Sequence, residues 1–195
     1  MLRTLSLLLV LFLPLSSIQA SDYREGVHYQ RIQNPLISRL EKRHKVIEFL
    51  WYDCESCYQI EGVLRQWLDQ KPTDVQFERL PAVTQPEMTY FARAMEVARQ
   101  LKVLDRIHLP LFTALHGQHR PLREEKELSK FFSEFGVQSS QFKTFFHSGF
   151  VTSRVNQARR LGNRFGIAGA PTFVVDGRFR VDPTMVRSPQ ELMQV

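Results

Sequence analysis

Cys54 and Cys57 are the only two cysteines in the 195-residue chain, and they stand three positions apart. At the start of a helix that spacing brings both sulfurs to one side, close enough to bond to each other. The first sulfur then sits at the helix end, where unpaired backbone N–H groups and the positive end of the dipole favour a thiolate. The thiolate is the form that attacks, which selects Cys54 as nucleophile. Cys57, one turn in and more buried, is left as the resolving thiol. The chemistry is disulfide exchange through a mixed disulfide. Three other readings compete. One is a structural disulfide, although such bonds stabilise more when they close a long loop. Another is a zinc site completed from His116-Gly117-Gln118-His119. The third is a pair of inert buried thiols.

Two further residues could serve this pair. Glu48 interrupts an apolar run six residues before Cys54. With apolar neighbours on both sides its carboxyl would be poorly solvated and its pKa raised, fit to exchange a proton with Cys57. The plainer reading is an exposed position on a half-buried strand. Pro171 stands between small residues and a β-prone run. A proline there cannot donate to a sheet ladder, and it reads either as a cis proline that turns the chain or as an ordinary loop proline.

Placing these residues requires a strand, a helix and a second strand. Val46–Tyr52 is a near-continuous apolar run and reads as a strand buried on both faces. Tyr58, Ile60, Val63, Leu64, Trp67 and Leu68 recur with helical spacing up to Lys71-Pro72, and Val75–Leu80 has the length of a second strand, closed by Pro81. From about Pro86 to Phe150 the pattern turns all-helical with a Phe-rich core. Its helices run over Met88–Leu101, Leu128–Phe135 with Gly136 as stop, and Phe142–Phe146. One more helix covers Val151–Phe165. Asp176-Gly177 between Thr172–Val175 and Arg178–Val181 is a hairpin signal, and Ser188-Pro189-Gln190-Glu191 has the residues of a capped helix start. A short edge strand is expected within Val27–Ile32. The fold class is α/β.

Residues 1–20 open on Met-Leu-Arg, run apolar from Leu5 to Leu15 and end in Ala20, the pattern of a secretory signal peptide. Ile18 is larger than usual for its place before the cut. The stretch is shorter than the roughly 20 apolar residues that span a bilayer. Export places the cysteines where disulfides persist. The chain is 43% hydrophobic and 24% charged, which excludes a disordered chain. A formal charge of +6, spread along its length, gives no nucleic-acid footprint.

Taken together, these residues resemble the periplasmic thiol:disulfide oxidoreductases of the DsbA type, in the thioredoxin superfamily. The pieces that carry the resemblance are Tyr23–Tyr29, Val46–Leu50 leading into Cys54-Glu55-Ser56-Cys57-Tyr58-Gln59, and Gly169-Ala170-Pro171 leading into Phe173–Phe179. It implies a thioredoxin fold with an inserted all-helical domain. The signal peptide is residues 1–20, the thioredoxin-like parts are 21–85 and 151–195, and the insertion is 86–150. It implies Cys54 as attacking thiol, Cys57 as resolving thiol, Glu48 as the buried acid and Pro171 as the cis proline. Ala170 would offer backbone hydrogen bonds to a bound peptide, with Glu55 and Ser56 beside it on the substrate side. The expected substrates are folding exported proteins with free cysteines, and the expected reoxidant is a quinone-linked membrane oxidase. The location would be the periplasm. No cofactor, metal or nucleic acid is expected, and the protein is expected to be a monomer.

Two features depart from that family. Its commonest dipeptide between the cysteines is Pro-His, whereas here it is Glu55-Ser56, with Asp53 just before. Carboxylates oppose a thiolate by like charge, partly offset because an acid suits a helix N-terminus. Seven residues follow Ser188, so the last helix is expected to be short and to leave part of one sheet face bare for a partner. The function expected is dithiol oxidation of secreted proteins. A reductase or isomerase of the same fold, and a peptide-binding module or chaperone with a static cysteine bridge, stand beside it. The double substitution Glu55→Pro/Ser56→His is expected to lower the Cys54 pKa, read from the pH titration of thiolate absorbance; an equal or higher value in the variant would refute the like-charge effect.

Overall fold

The computed structural model describes residues 22–36 and 43–195. The signal peptide expected at residues 1–20 lies outside them. Five strands, β1 (Gln30–Arg31), β2 (His44–Leu50), β3 (Val75–Pro81), β4 (Thr172–Val175) and β5 (Phe179–Val181), form one mixed sheet in the order β1-β5-β4-β2-β3. The apolar run becomes a central strand, as its composition requires. β2 pairs in parallel with β3 and antiparallel with β4. It begins at His44 and stops at Leu50, two residues before the apolar run ends. Trp51 to Cys54 instead make a turn, closed by a Cys54 N–H bond to the Trp51 carbonyl at 3.1 Å. The edge strand β1 is only two residues long, because Arg24–Tyr29 folds into a turn of its own.

Alternation along β2 sends side chains to opposite faces. Ile47 and Phe49 pack with Phe165, Ile167 and Val174 on one side. Val46 packs with Ile60, Leu64 and Phe173 on the other, and Leu50 with Cys57. The second face is covered by helix α1 (Glu55–Gln70), so Glu48 lies under that helix.

Between β3 and β4 the chain is helical: α2 (Thr89–Gln100), α3 (Leu104–Phe112), α4 (Glu125–Ser133), α5 (Ser139–Phe146) and α6 (Gly149–Phe165). The sequence reading places no helix at 104–112. Pro110 lies inside α3, and the helix widens directly afterwards into a π-type turn over Thr113–Gly117. Aromatic rings fill the core of this unit, with Phe132 and Phe142 centred 4.7 Å apart and Phe142 and Phe146 5.2 Å apart. α6 serves both cores. Val151 and Val155 pack among the helices, whereas Leu161 and Phe165 pack under the sheet. Its end follows the sequence signal, since Gly166 takes φ +66°.

The last helix, α7 (Pro189–Leu192), is capped by the Ser188 hydroxyl. The sheet face expected to be bare is not. Leu192, Met193 and Val195 close over Val46, Leu64, Trp67, Phe173 and Val181, leaving a gap of about 70 Å³. One helical turn suffices because Leu192 and the Met193 and Val195 side chains just after it meet that face.

The β4–β5 hairpin turns through Asp176 and Gly177, at φ +52° and +62°. Both central residues having positive φ is the geometry that matches strand twist. An alanine Cβ at Gly177 would also run into the Leu36 carbonyl. Gly177→Ala should therefore cost about 1–3 kcal/mol in urea unfolding. Gly62, inside α1 with nothing within 4 Å of an added Cβ, is the control. Gly62→Ala should stabilise by about 0.5–1 kcal/mol.

Candidate active site

Cys54 caps α1. Its extended backbone (φ −105°, ψ 113°) turns its sulfur toward the first helical turn, where it accepts the Cys57 N–H at 3.3 Å. The Ser56 hydroxyl lies 3.1 Å from the same sulfur. The Cys57 thiol, which donates to it, is the largest cause holding the Cys54 pKa down; Ser56 and the Cys57 and Ser56 backbone N–H groups add to this against partial burial. The result is about 6, well below the ordinary thiol range. Cys57 is fully buried against Leu50 and the helical unit, and burial pushes its thiol far above that range, with the Cys54 sulfur adding to the shift. Two sulfurs three residues apart therefore differ in both charge and access.

The Ala170–Pro171 peptide is cis, and the Ala170 carbonyl lies 3.3 Å from the Cys54 sulfur. That carbonyl accepts from the thiol form. A cleft of about 400 Å³ runs from this point, lined by Ser56, Gly169, Ala170, Pro171, Thr172 and Arg180.

Glu48 has no exposed surface. Parallel register sets it beside Arg79 of β3, whose Nε is 3.1 Å from its carboxylate without hydrogen-bond alignment. Arg79 also reaches Glu61 of α1 at 3.3 Å. Glu61 in turn meets His108 Nε2 at 2.9 Å, and His108 Nδ1 meets the Tyr52 hydroxyl at 2.8 Å. Two carboxylates thus share one guanidinium. Burial raises both, but for Glu61 the His108 bond and the His108, Arg79 and Arg65 charges outweigh it and hold the carboxyl below the usual range. Glu48, with fewer partners, is pushed up to about 8 by burial, against Arg79 and with the Glu61 and Cys54 charges adding. Near neutral pH it carries a proton under the cysteine helix. Burial also lowers the His108 pKa, against the Glu61 hydrogen bond and charge that raise it.

The acids flanking Cys54 both face basic side chains from the helical unit. Arg123 holds Asp53 in a two-pronged pair, with Nε at 3.1 Å from Oδ2. His116, on the π-type turn, stacks on Tyr58 with ring centres 5.4 Å apart. Its Nε2 bonds the Tyr52 carbonyl and its Nδ1 faces the Glu55 carboxylate, each at 2.8 Å. His119 is exposed at φ +52°. No cluster of three His, Cys, Asp or Glu side chains fit to hold a metal ion occurs among the described residues, so the zinc alternative has no ligand set there.

The structure brings Cys54, Cys57, Glu48, Ser56, Ala170 and Pro171 together. Glu55 lies on the same helix turn but is 61% exposed and turned to His116. Sequence reasoning missed Arg79, Glu61, His108 and Arg123, and took His116 only as a zinc ligand. Glu61 had a signal, because it falls four residues after Cys57 on one helix face. The others come from strand register and from helices folded in from far along the chain.

The DSBA-like thioredoxin domain model matches residues 64–192, a segment that starts after the two cysteines. The thiol:disulfide interchange protein DsbA of Pseudomonas aeruginosa is 28% identical over 177 residues, covering 91% of this chain and 84% of that protein. DsbA of Burkholderia cepacia is 26% identical over 196 residues, covering 100% and 92%. Crystal structures of P. aeruginosa DsbA and Xylella fastidiosa DsbA superpose with TM-scores of 0.82 and 0.81, at 27% and 28% identity. They cover 90% and 88% of this chain and 91% and 92% of those chains.

The raised Glu48 pKa has a measurable sign. A carboxyl lifted from 4.5 to about 8 on folding contributes stability that is whole below pH 4.5 and lost as pH rises through 8. In urea unfolding of the reduced protein, stability should fall by on the order of a few kcal/mol between about pH 5 and about pH 9 from this group. Glu48→Gln should flatten that fall; an unchanged profile would mean that Glu48 is not protonated in the fold.

Proposed function

The chain belongs to the DSBA-like thioredoxin domain family, and from that premise we propose that it acts as a dithiol oxidase, passing a Cys54–Cys57 disulfide to folding exported proteins in the periplasm. It has the thioredoxin fold with a helical unit inserted, taken as residues 86–150, and it is a protein-disulfide oxidoreductase. The observation that carries the oxidase reading is the contrast between the two sulfurs. Cys54 is reachable, surrounded by donors and held near pKa 6, whereas Cys57 is buried with its thiol form favoured.

The exchange follows from that contrast. A substrate thiolate lying in the cleft by Ala170 and Pro171 attacks the Cys54 sulfur of the disulfide. The Cys54–Cys57 bond breaks, a substrate–Cys54 bond forms, and the electron pair leaves on Cys57. Cys57 is buried where a thiolate is costly, so it takes a proton, and protonated Glu48 beneath the helix supplies one. A second substrate thiolate then attacks the substrate sulfur of the mixed disulfide. The substrate gains its disulfide and Cys54 departs as thiolate. A thiol of low pKa is the better leaving group, which favours release over reversal. The substrate has lost two electrons and the protein holds two thiols. A quinone-linked membrane oxidase would accept those electrons and restore the disulfide. Among the described residues no helix is long and apolar enough to cross a membrane.

Oxidised protein mixed with reduced, unfolded ribonuclease should restore ribonuclease activity. Cys54→Ser should bring the rate to background, and Cys57→Ser loaded beforehand with glutathione in a mixed disulfide at Cys54 should release the glutathione thiol to an attacking ribonuclease thiolate and accumulate a ribonuclease–Cys54 disulfide, visible on non-reducing gels. A protein that fails this assay yet speeds insulin reduction by dithiothreitol is a reductase, and the oxidase reading is lost.

A further inference from the structure

Asp53 and Glu55 place a carboxylate on each side of the sulfur that must be ionised, which by itself works against exchange. Each meets a basic side chain that the chain delivers from the helical unit. We propose that His116 and Arg123 are positioning residues for the exchange reaction, holding the Glu55 and Asp53 carboxylates and offsetting their charge at Cys54. This rests on Cys54 being the exchanging thiol.

His116 carries the stronger side of the proposal. Its side chain is 10% exposed and packs against the Tyr58 ring on α1 and the Phe112 ring of α3. Its ring is anchored at the Tyr52 carbonyl, so the other nitrogen has one place to point, the Glu55 carboxylate. A carbonyl oxygen only accepts, and so does an ionised carboxylate, so both ring nitrogens face acceptors, and in the proposed arrangement the ring donates to each. The groups facing it are therefore Glu55, Tyr58, Phe112 and the Tyr52 carbonyl. The Cys54 sulfur faces Ser56, Cys57 and the Ala170 carbonyl, none of them a cation. The charge proposed beside the cysteine helix thus comes in from His116, 61 residues after Glu55, at a site where the dipeptide between the cysteines holds no basic residue. Arg123 does the same for Asp53 from the solvent side, with the cationic partner 67% exposed where His116 is 10% exposed, and both pairs are open to screening by salt.

The test is the pH titration of Cys54 thiolate absorbance in the reduced full chain, with the glutathione equilibrium beside it. His116→Gln should raise the Cys54 pKa by about half a unit to one unit, and should shift the equilibrium toward the disulfide form by about three- to tenfold. His116→Gln/Glu55→Gln should return the titration to that of the unaltered protein, because no carboxylate is left to offset. No shift in His116→Gln, or a shift that persists in the double variant, overturns the proposal; persistence would mark His116 as a packing residue. If His116→Gln does not fold, Arg123→Gln against Arg123→Gln/Asp53→Asn gives the same cycle on an exposed side chain, read at low salt by the same two criteria. These titrations do not depend on oxidase activity, so a failure of the ribonuclease assay in the unaltered protein is a separate result.

Discussion

The Cys57 N–H reaches back 3.3 Å to the Cys54 sulfur, and the rest of the arrangement serves to keep that bond at a half-open helix end. A sulfur in that place gains donors without losing access. The turn from Trp51 to Cys54 sets the backbone angle, and the strand before it, buried on both faces, holds the turn still. One helical turn further in, the same helix carries Cys57 under Leu50 and the helical unit, where burial outweighs the Trp51 backbone hydrogen bond that favours a thiolate. The difference between the sulfurs is thus a difference in solvation, made by packing around a short stretch of helix.

Beneath that helix lies a costly group. A carboxyl without exposed surface and without an aligned hydrogen bond would be removed by any selection for stability alone. Arg79 could satisfy it, but Glu61 competes for the same guanidinium and has His108 as well. The competition decides which carboxylate stays ionised. The one left protonated is Glu48, on the face of β2 that points at the cysteine helix. Stability is given up there, and a proton is kept near a thiol that must take one up.

The helical unit is part of the site and not only an addition to the sheet. Its core is continuous with Leu50, Tyr52 and Cys57, so whatever holds the helices together also walls in the resolving thiol. It supplies His108 to the buried network from α3, His116 from the π-type turn, and Arg123 from the loop before α4. A widened helical turn directs its side chains off the ordinary helical faces, and such turns recur at functional sites.

Sequence by itself determined most of the elements, though not the helix Leu104–Phe112, and singled out the two sulfurs proposed to react. The apolar run before Cys54, the helical spacing after it, the Gly166 stop and the Asp176-Gly177 hairpin are all local preferences, set by side-chain burial and backbone sterics within a few residues, and the structure keeps them. Glu48 was legible as a buried acid because its neighbours left neither face wet. Its partners were not. Arg79 meets Glu48 through strand register, Glu61 wins Arg79 through His108, and the charges beside Cys54 are offset by side chains roughly 60 to 70 positions away. The π-type turn after Pro110 and the closing of α7 over the sheet were equally out of reach. Local pattern tells which groups are present and which faces are apolar. Which charges end up within a few ångströms of a sulfur depends on how distant segments dock, and only the tertiary structure decides that.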